Sequence, residues 1–159
     1  MTSQYQPKAL LFDLLTALLD SWSVWDAAAL AVSGTAGSKE DQTAEAGRRW
    51  RKRYLEITFG CGAYEPYEKL TAQAAREAGL GDEAAKQLLQ KWSTLEPWPE
   101  VPGALRVLKE KGFKLGVVTN CSIELGRIAA ERVGVEFDAV VTAEEAGYII
   151  LRIARLNWG

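Results

Sequence analysis

An acidic residue, Asp13, ends a short apolar run near the start of this 159-residue chain. The run reads KALLFD, and a second apolar segment, LLTALLDSW, follows it. A carboxylate held at the end of a buried strand can act as a nucleophile toward an electrophilic carbon or phosphorus. A helix N-cap or a loop acid is the alternative interpretation, and it stays open on this residue alone.

A small polar pair, Thr119 and Asn120, follows the apolar run KLGVV. Such a pair can hydrogen-bond a substrate carboxylate or phosphate, although it is also typical of a turn. Ligands of parallel sheets bind beyond the carboxyl ends of the strands, so we expect Asp13 and this pair to converge there. The chain has no histidine, which removes the commonest acid–base group and zinc ligand.

Three short apolar runs, at 8–13, 114–120 and 137–143, predict buried parallel strands. Helical patterns at 103–112 and 122–134 separate them, which indicates right-handed crossovers. The predicted fold class is therefore α/β, with a Rossmann-like parallel sheet as its core.

A second group of helical patterns lies between the first strand and the others. These patterns occupy residues 48–60, 67–79 and 82–95. They predict a helical cap of residues 20–96, inserted into a core domain of residues 1–19 plus 97–159. The small and weakly patterned stretch 29–47 is interpreted as a flexible loop or an insertion.

Composition and charge narrow the function classes. The net charge is −2, and no segment has the length and apolarity of a membrane span or the features of a signal peptide. We therefore predict a cytoplasmic protein without a nucleic-acid or membrane partner. Cys61 and Cys121 do not form a disulfide framework. Trp22, Trp25 and Trp50 could wall a pocket and exclude water, but core packing is the preferred interpretation of each.

The order of these features resembles the haloacid dehalogenase-like hydrolase superfamily, and within it the 2-haloacid dehalogenases. FDLLTALLD is similar to the first motif of the family, in which the leading aspartate, here Asp13, is the nucleophile. GVVTNCS is similar to the second motif, which assigns substrate binding to Thr119 and Asn120. WRKRYLEITFG resembles the cap helix whose arginine, here Arg51, binds the substrate carboxylate.

The hydroxyl of the first motif is displaced in this chain. The family has glycine and then threonine at the third and fourth positions after the nucleophile, where this chain has Thr16 and Ala17. The resemblance therefore implies that Thr16 binds substrate from a position one residue earlier.

The resemblance implies a hydrolase that displaces halide from a 2-halocarboxylate through an ester on Asp13, with a small-molecule carboxylate as partner and no cofactor. Phosphatases of the superfamily carry a second aspartate at the position of Leu15, to protonate a poor leaving group. Halide leaves without a proton, so Leu15 favours the dehalogenase. A phosphatase using Mg²⁺ is the alternative, because the family's metal contact at that position is a backbone carbonyl.

The C-terminal stretch departs from the family pattern. After TAEEAGY the family has lysine and proline, where this chain reads Ile149, Ile150 and Leu151, and later an acidic strand. The resemblance thus predicts a truncated chain with impaired turnover and an open apolar edge on its first strand. That edge favours a homo-oligomer, or a non-catalytic interaction protein as a further alternative.

Overall fold

The parallel sheet is the frame on which the candidate residues are placed. The computed structural model of the chain describes residues 8–33 and 40–150. Within these ranges three parallel strands form one sheet in the order β1-β2-β3. The strands are β1 (Ala9–Asp13), β2 (Lys114–Thr119) and β3 (Ala139–Thr142). The predicted α/β class is confirmed.

Helices surround the sheet and fill the segment between its first two strands. They are α1 (Ser21–Ser33), α2 (Glu40–Cys61), α3 (Tyr67–Glu77), α4 (Gly81–Gln90), α5 (Val101–Glu110), α6 (Ile123–Arg132) and α7 (Ala143–Ala146). A 3₁₀ turn, Trp92–Thr94, follows α4, so the helix predicted over 82–95 is interrupted after Gln90. Among the described residues, no helix combines the length and the apolarity needed to cross a membrane.

The predicted loop at 29–47 is wrong for the part that the structure describes. Residues 29–33 belong to α1 and residues 40–47 to α2, and only 34–39 lie outside the described residues. Small side chains in this stretch, which form no clear pattern in the sequence, occupy packing positions. Ala29 and Ala46 are both buried.

α1 and α2 approach each other closely at Gly47. A Cβ atom built on Gly47 would stand 3.2 Å from the Cα of Asp26 and closer still to its carboxylate. Only a glycine leaves room for the facing helix at that point. Low side-chain volume therefore marks a tight helix contact here, and the same composition in sequence suggested a loop.

A row of aromatic side chains connects these helices. The rings run from Trp50 through Trp25, Tyr54 and Tyr67 to Trp92, with neighbouring centroids 4.4, 5.4, 5.1 and 5.2 Å apart. Each ring is buried. Tilted and edge-on contacts at these distances add to the stabilisation from apolar burial.

Candidate active site

Asp13 is the last residue of β1 and pairs in register with Val118 of β2. The N–H of Leu14 continues this pairing by donating to the Val118 carbonyl at 3.1 Å. Oδ2 of Asp13 accepts hydrogen bonds from the Thr16 hydroxyl at 2.6 Å and from the Thr16 N–H at 3.3 Å. Oδ1 accepts none from the described residues. The carboxylate is thus held by one oxygen and has the other available for chemistry.

Thr119 and Asn120 lie at the end of the neighbouring strand, at the same edge of the sheet as Asp13. The Thr119 side chain is 1% exposed, and its hydroxyl has no nitrogen or oxygen partner in the described part of the chain. Oδ1 of Asn120 accepts a hydrogen bond from the N–H of Ile150 at 3.0 Å. Burial raises the pKa of the next thiol, Cys121, to about 12, against a smaller opposing effect of Thr119.

Arg51 lies on α2 and is 5% exposed. Its Nη1 donates to the Ser21 hydroxyl at 2.8 Å, and its Cζ lies 4.0 Å from the centre of the Trp22 ring. No carboxylate of the described residues comes within 4.0 Å of the guanidinium. Burial lowers the pKa of Arg51, and the Tyr67 and Tyr54 hydroxyls followed by Asp13 partly offset that effect. The cation and the carboxylate of Asp13 therefore act on each other across the site.

Sequence reasoning missed two contacts of Arg51. Ser21 is fully buried, and nothing in its sequence context indicates a partner thirty residues away. Trp22 was expected in the core, but it is 40% exposed and covers the guanidinium. The expectation is confirmed for Trp25 and Trp50, which are 1% and 0% exposed.

The segment after α7 meets Asn120 through its backbone. Tyr148 pairs with Ala63, and the N–H of Ile149 donates to the Gly62 carbonyl at 3.0 Å. These contacts bring the N–H of Ile150 to Asn120. The departure from the family at Ile149 and Ile150 thus lies beside the site, while Leu151 falls outside the described residues.

A fixed carboxylate and a buried hydroxyl lie at one edge of the sheet, and a buried cation lies on α2. A small molecule with a carboxylate and an electrophilic carbon complements these groups. Within residues 8–33 and 40–150, no three His, Cys, Asp or Glu side chains form a group that could hold a metal ion. The absence of a cofactor stays a prediction.

Comparison with protein families gives one match over most of the chain. The model described as "Hydrolase: haloacid dehalogenase-like hydrolase" matches residues 7–155. Among curated proteins, the haloacetate dehalogenase H-2 of Moraxella sp. (strain B) is 29% identical over 150 residues, covering 87% of this chain and 64% of that protein. An (S)-2-haloacid dehalogenase of Pseudomonas putida is also 29% identical, with 87% and 63% covered. The chain thus spans less than two thirds of the length of these relatives.

Solved structures agree with the sequence comparison. A crystal structure of an L-2-haloacid dehalogenase superposes with a TM-score of 0.74 and 26% identity, covering 92% of this chain and 67% of that one. The L-2-haloacid dehalogenase of Xanthobacter autotrophicus with chloropropionic acid covalently bound gives 0.73 at 22% identity, covering 91% and 60%. A predicted phosphoglycolate phosphatase of Haemophilus somnus gives 0.51 at 17%, covering 89% and 64%.

Proposed function

Because the chain belongs to the haloacid dehalogenase-like hydrolase family, we propose that it acts on small 2-halocarboxylates and that Asp13 displaces the halide. The names of the similar proteins from Moraxella and Pseudomonas support this substrate class. The site supports it independently, because its charged groups suit a carboxylate bearing a reactive carbon.

The buried, unpaired cation of Arg51 carries the proposal. Removing a guanidinium from water costs several kcal/mol unless an anion compensates, and the described residues supply no carboxylate contact. A planar guanidinium binds a carboxylate through two parallel hydrogen bonds. The substrate carboxylate is the anion that the site lacks.

The first step is a displacement at carbon. Oδ1 of Asp13 attacks the carbon that bears the halogen, on the side opposite the carbon–halogen bond. A carbon–oxygen bond forms while the carbon–halogen bond breaks, and the halide leaves with the bonding electron pair. No proton donor is required, which fits the apolar side chain of Leu15 two residues after the nucleophile.

The second step is hydrolysis of the ester. Water attacks the ester carbonyl of Asp13, and the bond between that carbonyl carbon and the oxygen of the 2-hydroxycarboxylate breaks. One proton of the water goes to the departing hydroxyl oxygen and the other is released to solvent, which restores the carboxylate. The sequence at Ile149, Ile150 and Leu151 lacks the family's lysine. We therefore propose that this step is slow in the chain and that the ester accumulates.

The proposed division into a core of residues 1–19 plus 97–159 and a cap of 20–96 is supported at the connections. Leu19 and Pro97 form an antiparallel bridge, and the N–H of Asp20 donates to the Glu96 carbonyl at 2.8 Å. The chain thus enters and leaves the helical segment at one place, and we propose that this segment holds Arg51 opposite the end of β1.

The proposal is tested by incubating the chain with 2-chloropropionate and measuring chloride release and the intact mass of the protein. We expect chloride and a covalent adduct in comparable amounts, with the adduct mapped to Asp13. Asp13→Asn should give neither product. Asp20→Asn, which changes an acid at the start of α1, is the matched control and should behave as the original chain does.

Other outcomes separate the alternatives. If the chain released phosphate from an aryl phosphate, and did so only in the presence of Mg²⁺, the result would favour a phosphatase. The proposed function would be contradicted if the chain neither released chloride nor bound the carboxylate, and that result would favour a non-catalytic protein. Release of many chloride ions per protein molecule would contradict only the proposal that the second step is slow.

A further inference from the structure

Tyr67 lies at the start of α3, inside the aromatic row. Its side chain is 1% exposed, and its ring stands edge-on between Tyr54 and Trp92, at centroid distances of 5.1 and 5.2 Å. The ring therefore has a fixed position, and the direction of its hydroxyl is determined by packing.

The hydroxyl of Tyr67 is a buried donor without an acceptor. It has no acceptor among the described residues. Burial raises the pKa of Tyr67 well above its usual value, so the hydroxyl carries its proton at neutral pH. The indole N–H of Trp25 acts as a donor toward the hydroxyl oxygen and lowers that pKa, but it offers no acceptor for the hydroxyl proton. Buried polar groups are rarely left unpaired, and each one that is calls for an explanation.

The aromatic row connects Tyr67 to the neighbours of Arg51. Arg51 and Tyr54 lie three residues apart on α2, on one face of the helix, and the ring of Tyr67 stands 5.1 Å from the ring of Tyr54. The Cζ of Arg51 lies 5.8 Å from the centre of the Trp25 ring, which is the other neighbour of Tyr54 in the row. Consistent with this packing, Tyr67 raises the pKa of Arg51, against the larger effect of burial.

We propose that Tyr67 is a substrate-binding residue whose hydroxyl donates a hydrogen bond to the carboxylate held by Arg51. The ligand supplies the acceptor that residues 8–33 and 40–150 do not provide, and it pairs with a cation that has no carboxylate contact within those residues. This inference rests on the proposed function, because it assigns a second donor to the same carboxylate.

The test uses propionate, which carries the carboxylate but no leaving group, so that binding is measured without chemistry. Its dissociation constant is measured by calorimetry for the original chain, Tyr67→Phe and Arg51→Gln. Tyr67→Phe keeps the ring and removes the unpaired hydroxyl. We expect it to weaken propionate binding about tenfold, as for loss of a hydrogen bond to a charged acceptor. The ligand-free variant should be at least as stable to heat as the original chain.

Tyr64→Phe is the matched control. It removes another buried hydroxyl that has no partner among the described residues, from a residue that is not among the groups that raise the pKa of Arg51. We expect it to leave the propionate affinity within about twofold of the original. Equal weakening by both variants would overturn the inference, since it would indicate a general effect of removing a buried hydroxyl.

The failures of the two proposals differ. If the original chain binds propionate, Arg51→Gln abolishes binding and Tyr67→Phe binds as the original does, the role of Tyr67 is overturned and the carboxylate site stands. If the original chain binds neither propionate nor 2-chloropropionate, the proposed function and this inference are both overturned.

Discussion

Two side chains fix the guanidinium of Arg51 before any ligand arrives. Ser21 accepts from Nη1, and the Trp22 ring covers one face at 4.0 Å. A planar cation held on one edge and one face keeps few orientations, so little rotational freedom remains to be lost on binding. If Arg51 binds the carboxylate as proposed, the contacts of Ser21 and Trp22 affect the affinity, although neither side chain is proposed to contact the carboxylate itself.

Ser21→Ala should weaken propionate binding by about tenfold, because it releases Nη1 from its acceptor and leaves a buried donor unpaired. The measurement is the dissociation constant by calorimetry. Ser23→Ala is the control, since the Ser23 hydroxyl donates to Asp20 and has no contact with Arg51. An unchanged affinity in Ser21→Ala would show that Trp22 and packing alone orient the cation.

At this scale the sequence predicted the reactive groups but not their supports. Asp13 and Thr119 were expected at one sheet edge because parallel strands end there, and the register of β1 with β2 brings them to it. Ser21, Trp22 and Tyr67 depend on how α1, α2 and α3 pack. No local pattern distinguishes such residues from ordinary helix positions, so their contacts were not predictable.

Among the helices, the contact between α1 and α2 determines where Arg51 lies. Both helices are continuous through their small residues, and they approach each other closely at Gly47. A glycine inside a helix normally lowers stability relative to alanine. Here the glycine permits a close packing that alanine would obstruct.

Gly47→Ala should lower the free energy of unfolding by about 1–3 kcal/mol, because the added methyl group meets the backbone and carboxylate of Asp26. Gly60→Ala, in the same helix but with open space at its Cβ position, should raise it by up to about 1 kcal/mol. Urea denaturation measures both values. A stabilising Gly47→Ala would mean that the two helices separate at little cost.

The sequence predicted most of the elements because their apolar spacing is regular. The strands expected at 8–13, 114–120 and 137–143 correspond to β1, β2 and β3. The error at 29–47 has a physical cause: alanine and glycine bury little area, so a helix that packs through them has no apolar stripe to recognise.

At the scale of the whole molecule, one face of the sheet leaves apolar side chains exposed, and this exposure affects how copies of the chain contact each other. Leu11, on the strand at one edge of the described sheet, is 68% exposed, and Val141 is 37% exposed. Leu11 pairs in register with Gly116, and Gly116 pairs with Ala139. Val141 lies two residues after Ala139 on β3, so the side chains of Leu11 and Val141 are on the same face of the sheet. An exposed edge strand with apolar side chains favours contact with another copy of the chain.

Leu11→Lys should reduce self-association at high protein concentration, because it puts a charge on the exposed face of the edge strand. Light scattering across a concentration series gives the measurement. Val107→Lys, which charges a 47% exposed apolar position on α5, should leave association unchanged. Equal reduction by both substitutions would assign the effect to net charge, and no association in the original chain would remove the basis for a homo-oligomer.

The pairing of Ala9 with Lys114 also has a consequence for synthesis on the ribosome. β1 emerges first, but its hydrogen-bonding partner follows about 100 residues later, after the whole helical segment. At translation rates of about 5–20 residues per second, the strand remains without its partner for about 5–20 seconds, with its apolar side chains exposed to water. The helices form from local contacts during that interval, and the sheet closes last. The nascent chain is therefore most vulnerable to aggregation before β2 emerges, and a chaperone that covers residues 8–13 would protect it then.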